Sequence, residues 1–321
     1  MDERQTKTRG WRRLLSLTVV VLSVPALGLW VHLTVGWPRL LTPWIGLTVA
    51  DYGVLFLGMA IAYLARAARL FDFFRDTVAR APFGLLRLSL LHNLSNHLLP
   101  MRTGEAAFPL LMKRYFGVSF ADAGLSLVWL RVLDLAALTL LASTVIARGS
   151  PLGPLTQALA LTLALGSAAA LLLLPWAVHL LPAAFDGGRT QRLIHAIASN
   201  LPRGSAAYAR AVLLTLVAWA AKGFALLWLA LQFTALSAST AAVGVAAGEL
   251  SSVLPIHGLA GSGTYEGAMV AALVAVGAEH DVALLAAVNV HLFLLGTAFA
   301  LGVSALLLPR PPSPAKPDRV S

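Results

Sequence analysis

Two polar interruptions in apolar sequence decide the fold of this chain. The first reads SNHLLPMRTGEA at residues 95–106, and the second reads SVLPIHGLAGSGTYEGA at residues 252–268. Each places proline, glycine and a carboxylate where hydrocarbon is expected. At membrane depth the backbone can break only where protein or a water-filled cavity receives the freed polar groups. Broken segments at corresponding positions of two halves indicate the central site of a secondary transporter.

The composition is that of a membrane protein. Of 321 residues, 58% are hydrophobic and 12% are charged, whereas soluble domains carry about 25% charge. Continuous apolar runs without the alternation of barrel strands predict helices. Six runs reach the length of about 20 residues that crosses a bilayer: 14–35, 44–65, 120–147, 155–181, 211–233 and 282–308.

Two shorter pairs of apolar segments flank the interruptions. They are 83–99 with 105–112, and 241–254 with 264–277. Charge parity allows either a re-entrant hairpin or two full crossings for each pair. Length favours re-entry, because the short segment 105–112 forms roughly 12 Å of helix against a hydrocarbon core of roughly 30 Å. We therefore predict an all-α polytopic membrane protein with six full spans plus two re-entrant helical hairpins.

The basic residues divide unequally between the two sides of these spans. Nineteen Lys and Arg residues fall in segments on the side of the N-terminus, and only Arg39 and Arg148 fall in the opposite loops. This division predicts a bacterial-type inner membrane protein with both termini in the cytoplasm. The net charge of +10 thus indicates topology and contact with anionic lipid rather than nucleic acid. The predicted cytoplasmic set includes Arg66, Arg69 and Arg87.

The two halves of the chain repeat one order of elements. Residues 14–147 and 155–308 each read helix, helix, interrupted pair, helix. Each half crosses an odd number of times, so the second half is inverted relative to the first, as in secondary transporters. We expect a single transmembrane domain over 14–308, a basic cytoplasmic segment over 1–13 and a Pro-rich disordered tail over 309–321.

Charged residues inside the membrane are the first candidates for function, since a central charge costs roughly 2.5–3.5 kcal/mol on insertion scales. Arg102 and Glu105 lie three apart at a helix start; they either contact substrate or pair with each other. Arg131 and Asp134 share one helix face. They either form a local ion pair or hold an arginine toward a cavity. We predict that all four contribute to a substrate-binding site.

The second interruption supplies further candidates. Glycines permit close backbone approach and positive φ, and free amides at a helix start bind anions, although a Gly-rich stretch can equally be only a turn. Glu266 would compete for the same amides. The predicted substrate-binding residues in this motif are Gly258, Gly261, Gly263 and Glu266.

A lysine and three carboxylates complete the predicted site. Lys222 either extends toward the cytoplasmic side or contacts a lipid head group, and Glu249 is a candidate partner for it. Glu105, Glu249 and Glu266 are candidates for proton coupling. Four histidines (His92, His97, His257 and His291) lack a metal-binding pattern such as H-E-x-x-H. With no Walker A, Rossmann or G-x-S-x-G motif and no cysteine, we expect no metal, no cofactor and no catalytic residue.

These motifs resemble a known family. The first is Asn96-x-x-x-Pro100-x-Arg102-x-Gly104-Glu105, followed by Gly117-Val118-Ser119 and Arg131-x-x-Asp134; the second is the Gly-rich stretch ending at Glu266. Together they are similar to the flippase-like transmembrane region of lysylphosphatidylglycerol synthases and their free-standing relatives, over roughly 14–308. The family often has a basic residue where this chain has Phe108, and usually Pro-Gly-Gly where this chain reads IHGL at 256–259.

The resemblance implies a lipid translocase. Its substrate would be an anionic or zwitterionic phospholipid, or a polyprenyl-phosphate-linked lipid, that moves between leaflets. Two alternatives stay open: a membrane-embedded lipid-modifying enzyme with Glu105 or Glu266 as base, and a non-transporting subunit of a cell-envelope lipid pathway. We expect membrane lipids and a lipid-synthesising enzyme as partners, with homo-oligomerisation left open. The sequence carries no aminoacyl-transferase domain, so we do not expect it to synthesise lysylated lipid.

Overall fold

The computed structural model describes residues 29, 32–33, 36–149, 153–180, 188–253, 261 and 263–311. Across these ranges the chain is helical and contains no β-strand. Internal contacts divide it into two units, 1–48 and 49–321. Most of the predicted span 14–35, the second interruption at 254–260 and the tail from 312 onward lie outside the described residues.

The first unit contains one described helix of more than one turn, α1 (Trp37–Ile45). It begins after Gly36, whose φ of 80° lies in the region that glycine tolerates best. Pro38 occupies the first turn, where the missing amide hydrogen has no helical acceptor to lose.

The second unit contains ten α-helices among the described residues. They are α2 (Val49–Val78), α3 (Pro82–Leu98), α4 (Ala107–Phe116), α5 (Phe120–Gly149), α6 (Pro154–Leu180), α7 (Gly188–Ser199), α8 (Ser205–Phe233), α9 (Ala238–Val253), α10 (Thr264–Ala275) and α11 (His280–Ser304). Short 3-10 helices occupy Pro100–Ala106 and Ala305–Leu307. Five helices (α2, α5, α6, α8 and α11) are long and apolar enough to cross a membrane.

Helix α2 corrects the sequence prediction at its C-terminal end. The predicted span ended at residue 65, with a basic cytoplasmic segment after it, whereas helical structure continues to Val78, with a kink at Phe74. Arg69 is 5% exposed, and Leu70 and Val78 beyond it belong to the buried core. Arg66 and Arg69 therefore belong to the long helix and do not begin a segment separate from it. A charge need not end an apolar helix when the fold provides a buried partner for it.

The first interrupted pair folds back on itself. A Cβ on Gly104 would overlap the carbonyl of Ser95, so the 3-10 helix passes directly against the end of α3. The rings of His92 and Phe108 lie 5.3 Å apart, one turn farther from the break on each side. These two contacts make α3 and α4 antiparallel, and we call residues 82–116 hairpin 1.

The second interrupted pair has the same form. Cβ atoms on Gly244 and Gly248 would lie 2.6 Å from Leu273 and 2.8 Å from the ring of Tyr265, respectively. Glycine at these two positions thus lets α9 and α10 approach closely and run antiparallel. We call residues 238–275 hairpin 2, with reference only to its described residues.

Hairpins and long helices pack in reciprocal pairs. Hairpin 1 packs through α3 against α11, hairpin 2 packs through α9 against α5, and α2 packs along α8. Each hairpin therefore contacts the last helix of the other half of the chain. This exchange is the packing expected from two repeated halves, and it brings both hairpins to the same interior region.

Candidate functional site

A cavity of about 100 Å³ lies between the two hairpins, inside the unit formed by residues 49–321. Four long helices, α2, α5, α8 and α11, complete its wall. Hairpin 1 contributes Asn93, Asn96, His97 and Glu105, and hairpin 2 contributes Ser252, Val253 and Tyr265, with Gly261 from the stretch between its helices. The long helices contribute Arg66, Arg131, Trp219, Lys222, His291 and Leu294.

Asp134 anchors the charged residues beside this cavity. It is fully buried on α5 and accepts hydrogen bonds from Nη1 and Nη2 of Arg69 at 2.6 and 3.0 Å. The indole of Trp219 and the guanidinium of Arg131 donate to it at 2.9 and 3.0 Å. Four donors satisfy a carboxylate that burial would otherwise make costly. The local ion pair of Arg131 with Asp134, one of the two alternatives that the sequence left open, is present, and Arg69 is a further partner.

Arg131 carries this network into hairpin 1. Its Nη2 lies 2.7 Å from Oε1 of Glu105, while Oε2 of Glu105 has no hydrogen-bond partner among the described residues. Nε2 of His92 lies 3.9 Å from Oε2. The side chains of Arg131 and Glu105 are 27% and 22% exposed, against 1% for Asp134. Glu105 and Arg131 are thus the accessible end of the network.

Lys222 and Glu249 form a second buried pair. Nζ of Lys222 lies 2.6 Å from Oε2 of Glu249, and the hydroxyl of Tyr265 donates to Oε1 of Glu249 at 3.2 Å. The pair joins α8 to both helices of hairpin 2. The structure thereby brings together two residues that the sequence suggested as partners, and it buries Lys222 rather than extending it to a surface.

Glu266 closes the start of α10. Its Oε2 accepts the backbone amide of Gly263 at 2.8 Å, and its Oε1 lies 2.7 Å from Nδ1 of His291. The ring of His291 stacks on Tyr265, with centroids 4.9 Å apart. Glu266 therefore uses one amide that the sequence analysis considered for an anion, and it positions the histidine that lines the cavity.

Of three further predicted residues, Gly261 lies at the cavity, and Gly258 and the side chain of Arg102 are not described. Gly261 lines the cavity with a φ of +80°, and a Cβ there would lie 3.3 Å from Nε2 of His291. Gly258 lies outside the described residues, as does the side chain of Arg102. Sequence spacing suggested that Glu105 pairs with Arg102. In the structure Glu105 reaches Arg131 across the gap between hairpin 1 and α5, and its pairing with Arg102 stays a prediction.

Arg66 lines the cavity, although the sequence did not select it as a site residue. Its guanidinium lies 4.7 Å from the ring centre of Trp219, and its buried Nη2 has no hydrogen-bond partner among the described residues. No carboxylate of the described ranges lies within ion-pair distance of it. The signal was present, because Arg66 and Arg69 are three apart in an apolar segment that continues for another helical turn and more.

The arrangement is suited to binding an anion. Arg69, Arg131 and Lys222 each have a carboxylate partner, whereas Arg66 has an aromatic ring, whose face attracts cations. Within the described ranges, no three His, Asp or Glu side chains cluster as metal ligands do. The cavity therefore offers one guanidinium without a carboxylate partner among the described residues, several neutral polar groups and a carboxylate with an unengaged oxygen.

Comparison with known families covers nearly the whole chain. The family model described as "Lysylphosphatidylglycerol synthase TM region" matches residues 14–302. This range includes both hairpins and every residue of the cavity wall. No curated protein gives a significant match.

Proposed function

Because the chain belongs to the lysylphosphatidylglycerol synthase transmembrane-region family, we propose that it is a lipid translocase. Family membership supports a lipid-related role in a membrane, and the cavity supports the more specific proposal. A lipid with an anionic or zwitterionic head group passes its phosphate through the cavity while its acyl chains stay in the bilayer. The lipid is a phospholipid or a polyprenyl-phosphate-linked lipid.

Arg66 is the observation that carries this proposal. Arg66 has a buried Nη2 and no carboxylate of the described residues at ion-pair distance, which is costly for a cation, and a guanidinium matches the geometry of a phosphate through paired hydrogen bonds. A head-group phosphate next to Arg66 supplies the missing charge. Arg131 adds a second cation that is partly exposed, with Glu105 able to give way as the phosphate approaches.

The size of the cavity supports the division between head group and tails. Pockets that enclose drug-sized ligands span about 300–1,000 Å³, whereas this cavity is about 100 Å³. It fits a phosphate-sized group and excludes a pair of acyl chains. The tails must then follow the outside of the protein. There α6 presents an apolar stretch of 18 residues, of which only 17% are buried.

The reciprocal packing supports an alternating-access mechanism. We place both termini in the cytoplasm of a bacterial-type inner membrane, with hairpin 1 entering from the cytoplasmic side and hairpin 2 from the opposite side. Rocking of one half against the other then exposes the cavity to each leaflet in turn. The driving force is the gradient of the lipid or of protons, with Glu105 as the first candidate to exchange a proton because one of its oxygens is unengaged.

Leaflet exchange in proteoliposomes tests the proposal. Vesicles of phosphatidylcholine with a trace of head-group-fluorescent phosphatidylglycerol report exchange through quenching of the outer leaflet. Arg66→Gln is compared with Arg75→Gln, which removes an exposed arginine from the same helix. We expect Arg66→Gln to lower the initial rate at least tenfold and Arg75→Gln to leave it unchanged. Equal rates for both variants would contradict a substrate role for the cavity.

A further inference from the structure

We propose that a second site, at the open end of hairpin 1, binds a phosphate group. A separate cavity of about 330 Å³ lies there, and it shares no lining residue with the central cavity. Its wall contains three arginines, Arg87, Arg114 and Arg310, together with Tyr115. These side chains come from three segments that meet at this point: α3, the last turn of α4, and the residues after the final 3-10 helix.

Arg87 is the fixed element of this site. It is 4% exposed, although the sequence predicted it among the cytoplasmic basic residues. Its Nη1 donates to the carbonyl of Leu306 at 3.1 Å and also to that of Leu308. Its buried Nε has no hydrogen-bond partner among the described residues. The guanidinium is thus held in place by backbone carbonyls while part of its donor capacity stays unused.

Residues 306–311 are held over α3 at the same place. A Cβ on Gly84 would overlap the ring of Pro311, so glycine allows Pro311 to lie directly on the first turn of α3. This contact and the bonds of Arg87 set residues 306–311 against hairpin 1. Arg310 is thereby brought to the same cavity as Arg114, from which it is separated by almost 200 positions in the sequence.

The charge of the site is uniform. No carboxylate lines the cavity, and no Asp or Glu of the described residues forms an ion pair with Arg87, Arg114 or Arg310. Three guanidiniums around one space repel one another unless an anion lies between them. Phosphate suits such a set best, because its oxygens accept several charge-assisted hydrogen bonds at once.

The phosphate has two potential sources that share this chemistry. One is the head group of a membrane phospholipid, since basic pockets between transmembrane helices bind such groups; Leu91, Leu306 and Pro311 then face the rest of the lipid. The other is a soluble phosphate anion. The site is independent of transport through the central cavity, because none of its residues reaches that cavity.

Calorimetric titration of the purified full chain in a neutral detergent tests the site. The probes are dihexanoyl phosphatidylglycerol and inorganic phosphate. Arg114→Gln with Arg310→Gln removes two charges from the site. Arg80→Gln with Lys113→Gln removes two exposed charges that do not line it, so the two double variants have equal net charge. Arg66→Gln provides a background in which binding at the central cavity is weakened.

We expect at least tenfold weaker binding in Arg114→Gln with Arg310→Gln, no loss in the charge-matched control, and persistence of the binding in Arg66→Gln. Loss for both probes supports a site that accepts either source; loss for the lipid alone assigns the head group, and loss for phosphate alone assigns the soluble anion. Equal losses in the two double variants, or the absence of binding of both probes to the unmodified chain, would overturn the proposal.

Discussion

Hairpin 1 and hairpin 2 each present a glutamate next to the central cavity, but they use it differently. Glu266 of hairpin 2 has both oxygens engaged, by the amide of Gly263 and the ring of His291. Glu105 of hairpin 1 engages one oxygen with Arg131 and leaves the other without a hydrogen bond among the described residues. A carboxylate with both oxygens hydrogen-bonded fixes the positions of its neighbours. One with an unengaged oxygen has fewer hydrogen bonds to break when it changes partner.

Asp134 extends this comparison along the charged network. It is the most buried of the three carboxylates and receives four hydrogen bonds from three helices. Burial and the number of donors therefore decrease together from Asp134 to Glu105. We interpret Asp134 and Glu266 as residues that stabilise the structure of the cavity. We interpret Glu105 as the residue that releases Arg131 and exchanges a proton during transport. Substitutions of the three carboxylates test this distinction, and Gly104→Ala tests the packing of the hairpin that carries Glu105.

The largest effect is expected for Asp134→Leu. Removing this carboxylate leaves the guanidinium of Arg69 buried without its counter-charge, which costs about 3–5 kcal/mol. The free energy of unfolding, measured by circular dichroism in detergent with added denaturant, should fall by that amount. The double variant Arg69→Met with Asp134→Leu removes both charges and should recover part of the loss. A single variant within about 1 kcal/mol of the unmodified chain would contradict the anchoring role.

Gly104→Ala should have the next largest effect. The added Cβ overlaps the backbone of Ser95, which cannot move aside as a flexible side chain can, so overpacking should cost about 1–3 kcal/mol of stability. The nearest atoms to a Cβ on Gly244, in hairpin 2, belong to the side chain of Leu273, which can shift, so Gly244→Ala should cost less. Gly124→Ala in α5 meets nothing within 4 Å and serves as the control. Equal losses at all three positions would show that close packing of hairpin 1 is not required.

Glu266→Ala removes the helix-start hydrogen bond from Gly263, worth about 1 kcal/mol, and the bond with Nδ1 of His291, so the loss should be about 1–2 kcal/mol. Thermal unfolding of this variant is compared with that of Glu279→Ala, because Glu279 lies at the start of α11 and makes no side-chain capping bond. Glu266→Gln keeps an acceptor for the amide of Gly263 and should fall between the two. If Glu279→Ala is as destabilising as Glu266→Ala, the cap contributes nothing specific.

The smallest effect on stability is expected for Glu105→Gln. Its side chain is 22% exposed and Arg131 keeps Asp134 as partner, so the unfolding free energy should change by less than about 1 kcal/mol. Lipid exchange in proteoliposomes should nevertheless fall at least tenfold, because the amide can neither exchange a proton nor release Arg131 in the same way. The opposite result, a large decrease in the unfolding free energy with a normal rate of lipid exchange, would contradict the roles assigned to Glu105 and Glu266.

Much of the fold could be predicted from composition and helix length. The predicted spans at 120–147, 155–181, 211–233 and 282–308 recur as α5, α6, α8 and α11 within a few residues. The prediction failed at α2, where Arg66 and Arg69 looked like the end of a span. A hydropathy scale gives each charged residue the same unfavourable value, whether or not it is paired. It therefore takes no account of the partnership of Arg69 with Asp134, which lies 65 positions away in the chain.

The site itself was predicted in part. Spacing on one helix predicted the pairing of Arg131 with Asp134, and intramembrane charge singled out Glu105, Lys222, Glu249 and Glu266. Local spacing suggested Arg102 as a partner of Glu105, whereas the partnership of Glu105 with Arg131, which lies on another helix, was not predicted. Partners on separate helices cannot be recognised from one sequence, because their distance depends on how the helices pack.

Apolar content, segment length and the two polar interruptions were sufficient to determine a helical membrane protein with candidate charges at the interruptions. These properties depend on transfer from water to hydrocarbon and on backbone hydrogen bonding, which act locally along the chain. Tertiary structure alone decided which charges pair, which oxygen stays unengaged and which arginine lacks a carboxylate. Those outcomes depend on distances between side chains of different helices, and only the packing of the hairpins against α2, α5, α8 and α11 sets such distances.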